Sequence, residues 1–208
     1  MANRDQRAQI AAETVAIAQG GAYRSPSGVD VSIRDAVQFA VHQTRLITPG
    51  ESRSLRRRAD TLLSRRAFAT SFEVRNETTF SAARRLVERY GPESVAALNF
   101  ASAKNPGGGF LNGSQAQEES LARASALYAC LQEQMGYYEA NRRASSLLYT
   151  DHLIVSPQVP VFRDDDDQLL EQPWQVTIIT CPAPNASAIS KSEPDASDSI
   201  EPTFSAAY

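Results

Sequence analysis

Three consecutive glycines, Gly107-Gly108-Gly109, separate an apolar run from a helix-like one, and they restrict the possible folds more than any other stretch. The run before them, Val95-Ala96-Ala97-Leu98-Asn99-Phe100-Ala101, reads as a largely buried strand. Asn105-Pro106 favours an extended or turn conformation where that strand ends. The glycines can then take φ > 0 and turn successive backbone N–H groups toward an anion. Beyond them, Ser114-Gln115-Ala116-Gln117 fits a capping box that opens the next helix. The N–H groups and dipole of that helix start favour an anion as well. A strand, a bend without side chains and a helix start, in that order, put a ligand site outside the carboxyl end of a strand.

Two adjacent acids sit beside this bend. With Ser114 as N-cap, Glu118 and Glu119 fall early in the helix, about 100° apart around its axis. The inward stripe continues as Leu121, Ala124, Tyr128 and Leu131, so Glu118 starts on the inward side and Glu119 on a flank facing a cleft. A glutamate partly desolvated beside a phosphate has reason to hold its proton, which suits a general acid. Together the bend and the acids point to cleavage of a nucleotide–sugar bond. The same residues also fit a plain turn followed by acids that a helix dipole favours, and the residues alone leave both readings open. Other phosphate motifs fit worse: the bend lacks the lysine of a P-loop, and there is no G-x-G-x-x-G fingerprint.

The remaining chain supports a layered α/β fold. Asp5 to about Gln19 reads as a helix with Ile10, Ala11, Ile17 and Ala18 on one face, Thr14 as a small polar interruption, and Gly20-Gly21 as its end. Ser32-Ile33-Arg34-Asp35 resembles a capping box for a helix burying Val37, Ala40 and Val41. A third helix is predicted over 51–65 with Leu55, Ala59, Leu62 and Leu63 facing inward. Phe72 to Arg75 alternates as a short strand, and Thr78 caps a helix carrying Phe80, Ala83, Val87 and Tyr90, stopped by Gly91-Pro92. Tyr149 to Val155 and Val176 to Thr180 are further strands, with an irregular surface excursion through Pro157, Pro160 and the four aspartates 164–167 between them. This order predicts a mostly parallel sheet with helices packed on it. From about Ala186 the chain is rich in Ser, Ala, Asp, Glu and Pro, and a disordered tail is expected over 189–208.

Composition narrows the class. At 208 residues, with 42% apolar and 22% charged residues, the chain suits one soluble globular domain. No apolar run is long enough for a membrane span and the polar start lacks a signal core, so an intracellular location is expected: cytoplasmic, or nuclear in a eukaryote. Cys130 and Cys181 suggest neither a disulfide framework nor a zinc site. The net charge of −3 hides a basic first half, with arginines at 53, 56, 57, 58, 65 and 66. A solvated helix face explains that run, and a rim attracting a polyanion is the functional alternative. No aromatic residues interleave with it, so specific nucleic-acid binding is not expected. His152 reads as structural, Asp164 to Asp167 as a solvated turn rather than a calcium loop, Cys181 as a small buried residue, and Phe162 and Trp174 as core.

The glycine bend followed by Gln117-Glu118-Glu119 resembles the signature of the bacterial-type (microbial) poly(ADP-ribose) glycohydrolases. Leu98-Asn99-Phe100-Ala101 before the bend and residues 120–128 after it resemble that family too, as do Tyr149-Thr150-Asp151-His152, residues 156–164 and residues 181–186. The similarity runs from about residue 5 to residue 188. It implies a macrodomain-like mixed sheet flanked by helices over 71–188, with an N-terminal helical extension over 1–70. It implies hydrolysis of ribose–ribose O-glycosidic bonds in poly(ADP-ribose), releasing ADP-ribose, without a metal or other cofactor. By the family pattern Glu119 is the catalytic acid/base, and Glu118 holds the ribose hydroxyls. Asn105 contacts the distal ribose, Gly107, Gly108 and Gly109 wrap the diphosphate, and Gln117 belongs to the substrate-binding set. The implied partners are poly(ADP-ribose) or ADP-ribosylated proteins, met by a monomer away from membranes. Family members continue past the Pro-Ala-Pro-Asn segment into a second glycine-rich loop, so a core truncated at its C-terminus is expected. The alternatives are an ADP-ribose-binding module with impaired turnover and a truncated relative.

Overall fold

A computed structural model describes residues 2–64, 69–145 and 147–183. The expected tail over 189–208 and the arginines at 65 and 66 lie outside them. Helix α1 (Arg4–Gly20) opens on a capping box between Asn3 and Gln6 and stops at Gly21, whose φ of 73° is left-handed. There a Cβ would come within 2.8 Å of the Arg34 Cβ, so the glycine serves both the turn and the close approach of the next helix. A two-stranded antiparallel ribbon follows, β1 (Ala22–Arg24) and β2 (Asp30–Ser32). Ser32 belongs to this ribbon, and helix α2 (Arg34–Gln43) starts from Ile33 with no side-chain cap, so the predicted capping box is not formed.

The main sheet has four strands: β3 (Arg45–Ile47), β4 (Ala96–Ala101), β5 (Leu153–Arg163) and β6 (Leu169–Pro182), in the order β3-β5-β6-β4. Only the β4–β6 pair is parallel; β3–β5 and β5–β6 are antiparallel. The expectation of a mostly parallel sheet is therefore corrected to a mixed one. The reason is the segment read as an irregular excursion, which is in fact a long β-hairpin closed at residues 164–168. Pro157 fits because the register shifts between Ser156 and Val159, where Gln158 takes φ 49° and the ladder is already broken. At the tip, Asp164 Oδ1 accepts from the backbone N–H of Asp166 (3.0 Å) and Gln168 (2.8 Å), so the aspartates build the turn.

The remaining α-helices among the described residues are α3 (Pro49–Leu63), α4 (Thr79–Tyr90), α5 (Gln117–Ala124), α6 (Leu127–Gln132) and α7 (Met135–Arg143). Thr78 caps α4 by accepting from Ser81 N–H at 3.0 Å. One core contains Ile17, Val37 and Ala40 from the first two helices, Phe80 and Ala83 from α4, and Phe162, Val176 and Ile178 from the sheet. Helices α1 and α2 thus share their core with the sheet, and β3 from the same N-terminal stretch is one of its edge strands.

Two predictions fail here for one reason. Helix α3 buries none of its residues, and Leu55, Leu62 and Leu63 are exposed. Phe72 to Arg75 forms no strand, and Phe72 and Val74 are almost fully exposed. Periodicity marks which side of an element is apolar, but it does not supply the surface or ladder partner that the side needs. Tyr90, expected inward, is exposed as well, at the C-terminal end of α4.

Three buried groups tie α1 to the far side of the domain. Thr14 is 1% exposed. Its hydroxyl donates to the Arg123 carbonyl at 2.7 Å and accepts from Arg163 Nε at 3.1 Å. Arg163 also pairs with Glu13 at 2.6 Å and donates to the Asp167 carbonyl at 2.8 Å. The polar interruption in the helix face is therefore a junction between α1, α5 and the hairpin.

Candidate active site

Strand β4 delivers the chain to the glycine bend at the end of the sheet. There the Asn105 carbonyl accepts from Gly108 N–H at 3.0 Å and the Gly107 carbonyl from Phe110 N–H at 3.1 Å. Gly107 and Gly108 hold φ of 66° and 59°, conformations that side-chain-bearing residues avoid. Asn105 stands exposed at the start of the bend. Phe110 anchors the far side, fully buried with Ala11 and Ala122 and 4.8 Å from the Tyr128 ring.

The bend is also clamped from outside by α1. Arg4 Nε donates to the Asn112 carbonyl at 2.9 Å, and Arg7 Nε to the Gly113 carbonyl at 2.8 Å. A Cβ at Gly113 would lie 2.0 Å from the Arg4 carbonyl oxygen, so the two backbones meet there without a side chain between them. Nothing in the spacing of Arg4 and Arg7 announces this contact across more than 100 residues.

Helix α5 begins at Gln117 with Ala116 as N-cap and no side-chain cap, so the predicted Ser114 capping box is absent. Gln117 takes over the anchoring. Its Nε2 donates to the Leu98 carbonyl (2.8 Å) and to Thr79 Oγ1 (3.1 Å), and its Oε1 accepts from Phe100 N–H (2.8 Å). The side-chain amide thus pairs with the open edge of β4 as a neighbouring strand would, and it fixes where the helix starts.

The next two residues turn back into the bend. Glu118 is 3% exposed, and its Oε2 accepts from Ser102 N–H at 2.7 Å. Glu119 is 9% exposed, and its Oε1 accepts from Gly109 N–H at 3.0 Å. A Cβ built on Gly108 would lie 2.5 Å from Glu119 Oε1 and 3.0 Å from Glu118 Oε2. Both carboxylates therefore pack on the same side-chain-free backbone. The other oxygens, Glu118 Oε1 and Glu119 Oε2, are buried without a hydrogen-bond partner. Burial pushes the Glu118 carboxyl up to about 7, with the Glu119 charge adding to the rise. The hydrogen bond from the Ser102 N–H opposes it.

Behind Glu118 lies a polar cluster that the sequence reading did not single out. Asn99, fully buried, donates to Thr180 Oγ1 at 3.1 Å. Tyr137 and Tyr138 are fully buried and packed edge to face at 4.8 Å, their hydroxyls unpartnered and raised by burial and then by surrounding charges that include Glu118. An asparagine inside a buried strand was the one available signal, because such a group needs a polar reason to be there. Thr150 Oγ1 bonds His152 Nδ1 at 2.9 Å. Cys181 is half-buried, Phe162 lies in the core and Trp174 packs edge-on against Phe80 at 5.6 Å. No metal-type cluster occurs among the described residues. A cleft of about 970 Å³ opens on another side of α5, between Arg7, Thr79 and Asp165, and neither glutamate lines it.

Residues 11–164 match the microbial-type PARG catalytic domain family. The chain belongs to it. A poly(ADP-ribose) glycohydrolase (PARG) structure from Thermomonospora curvata, bound to the inhibitor ADP-HPD, superimposes with a TM-score of 0.83 and 48% identity over 96% of this chain and 70% of that one. A Deinococcus radiodurans poly(ADP-ribose) glycohydrolase in complex with ADP-ribose gives 0.73 and 52%, over 83% of this chain and 68% of that one. No curated protein matches. As a microbial-type PARG domain, the chain carries a macrodomain-like α/β architecture over a shorter length than these two structures. No helix among the described residues is long and apolar enough to cross a membrane.

Proposed function

We propose that this PARG-family chain hydrolyses ribose–ribose O-glycosidic bonds of poly(ADP-ribose), releasing ADP-ribose, with Glu119 as the acid/base. The observation that carries the assignment is the packing of both carboxylates against Gly108, each with one oxygen bonded to backbone and one free. As general acid, Glu119 gives a proton to the departing ribose oxygen as the C–O bond breaks. Water then attacks the oxocarbenium-like sugar, and the Glu119 carboxylate takes up the proton that water releases. Glu118, held near 7 by burial, both donates to and accepts from ribose hydroxyls and so orients that sugar.

Asn105, exposed where the bend begins, reaches the distal ribose. The backbone of Gly107, Gly108 and Gly109 lies against the diphosphate. Gln117 is better read as a positioning residue than as a substrate contact, because its amide is committed to β4 and Thr79. Incubating the protein with poly(ADP-ribose) beside Glu119→Gln tests the reading. Release of ADP-ribose by the parent alone is expected. Equal, negligible release from both, with ADP-ribose still bound, replaces the hydrolase by a binding module.

A further inference from the structure

Helix α3 buries none of its 15 residues, yet it is firmly begun. Thr48 and Glu51 form a capping box, and the Glu51 carboxylate is spent on the Thr48 N–H (2.9 Å) and hydroxyl (2.8 Å). Arg53, Arg56 and Arg57 lie within about 100° of its circumference, with Asp60 in the same arc and Arg58 to one side. All four arginines are exposed, and among the described residues none is in an ion pair.

The sheet puts this helix at the catalytic end of the domain. Leu46 pairs with Ile154, Ile154 with Thr180, and Thr180 with Asn99, one row across all four strands. β3 and β4 run the same way, so Ile47 and Ala101 both end on the side where the glycine bend begins. Three strand spacings, roughly 14 Å, separate the two exits. The helix itself extends about 22 Å.

We infer that α3 is a secondary binding element for the polymer, its arginines engaging diphosphates of repeat units outside the linkage being cut. The inference rests on the glycohydrolase reading, which supplies a substrate carrying two phosphates in every repeat. Charge complementarity favours that occupant over a nucleic acid, because no aromatic side chain lies on α3 to stack a base. Leu55 and Leu62 lie on the side away from Arg53, and an anionic membrane is the competing occupant that the experiment separates.

The test reverses three charges together, Arg53→Glu, Arg56→Glu and Arg57→Glu, in the full chain, with an unchanged melting curve as the folding control. The substrates are long poly(ADP-ribose) and its dimer with a single ribose–ribose bond. KM for the long polymer should rise about tenfold and lose much of its salt dependence, while kcat, and both constants for the dimer, stay within about twofold. Fluorescence anisotropy of labelled long polymer should weaken by about tenfold with free ADP-ribose unaffected, a readout that needs no turnover. Equal affinity of parent and variant for the long polymer would overturn the inference. So would an equal loss on the dimer, or a loss confined to phosphatidylserine vesicles. A parent that releases no ADP-ribose from either substrate sinks the glycohydrolase reading instead, and the anisotropy comparison still decides the role of α3.

Discussion

Glu119 approaches Gly108 so closely that a Cβ on the glycine would stand 2.5 Å from Oε1, with Glu118 Oε2 only 3.0 Å from the same point. A loop residue and two helix residues thus define one another's positions. Gly108 carries no side chain because the carboxylates fill the space where one would be.

Gly108→Ala combines that clash with a φ of 59°, which costs an alanine about 1 kcal/mol before any displacement. The carboxylates have to move, and a shift near 1 Å lowers turnover roughly 100-fold. ADP-ribose release should collapse while the melting temperature falls only a few degrees. A variant with parental turnover would mean that the carboxylate positions do not matter.

Glu118 makes stability depend on pH in a defined direction. Below the unfolded value of 4.5 the carboxyl is neutral in both states. Between 4.5 and about 7 the unfolded chain ionises while the folded one resists, so stability falls as pH rises. Above about 7 the loss is complete, on the order of 3 kcal/mol. Glu118→Gln should flatten this slope in urea titrations between pH 4.5 and 8 and be the more stable protein at pH 8. An unchanged slope would remove Glu118 as its source.

Thr14→Val keeps the shape of the helix face but takes away the hydroxyl between the Arg123 carbonyl and Arg163 Nε. Both groups stay buried with a missing partner, so the expected loss is about 2 kcal/mol in chemical denaturation. A conservative surface change would cost far less. A loss under about 0.5 kcal/mol would show that water replaces the hydroxyl.

Gln117→Leu removes the amide that pairs with Leu98 and Phe100. The edge of β4 is open enough for water to compensate in part, so stability should drop by about 1 kcal/mol. Turnover should fall by at least about tenfold, because the start of α5 sets the position of both glutamates that follow. Gln117→Glu retains an acceptor for Phe100 N–H but no donor for Leu98, and should fall between the two. Parental kcat in the leucine variant would return Gln117 to an accessory role.

The parts of the site readable from residues alone were those governed by local conformation. Glycines at 107 and 108 permit left-handed backbone wherever they occur, and Gly21 and Thr78 end and begin helices through groups a few residues away. Failures came where local chemistry had a competitor. Ser32 and Ser114 each fit a capping box, but the first joined a ribbon and the second was passed over for Ala116. Pro157 looked like the end of a strand until a bulge absorbed it. The leucine stripe of α3 was real as a pattern and faces no surface among the described residues.

By itself, then, the amino-acid order determined a strand, a side-chain-free bend and a helix carrying Glu118 and Glu119 near its start, because backbone freedom and helical period are properties of neighbours in the chain. Only the tertiary structure decided that Gln117 completes the edge of β4, that Arg4 and Arg7 clamp the bend, and that both carboxylates share Gly108. Those contacts join residues from 10 to more than 100 positions apart. Burial and hydrogen-bond geometry select them among many partners that the sequence leaves equally open.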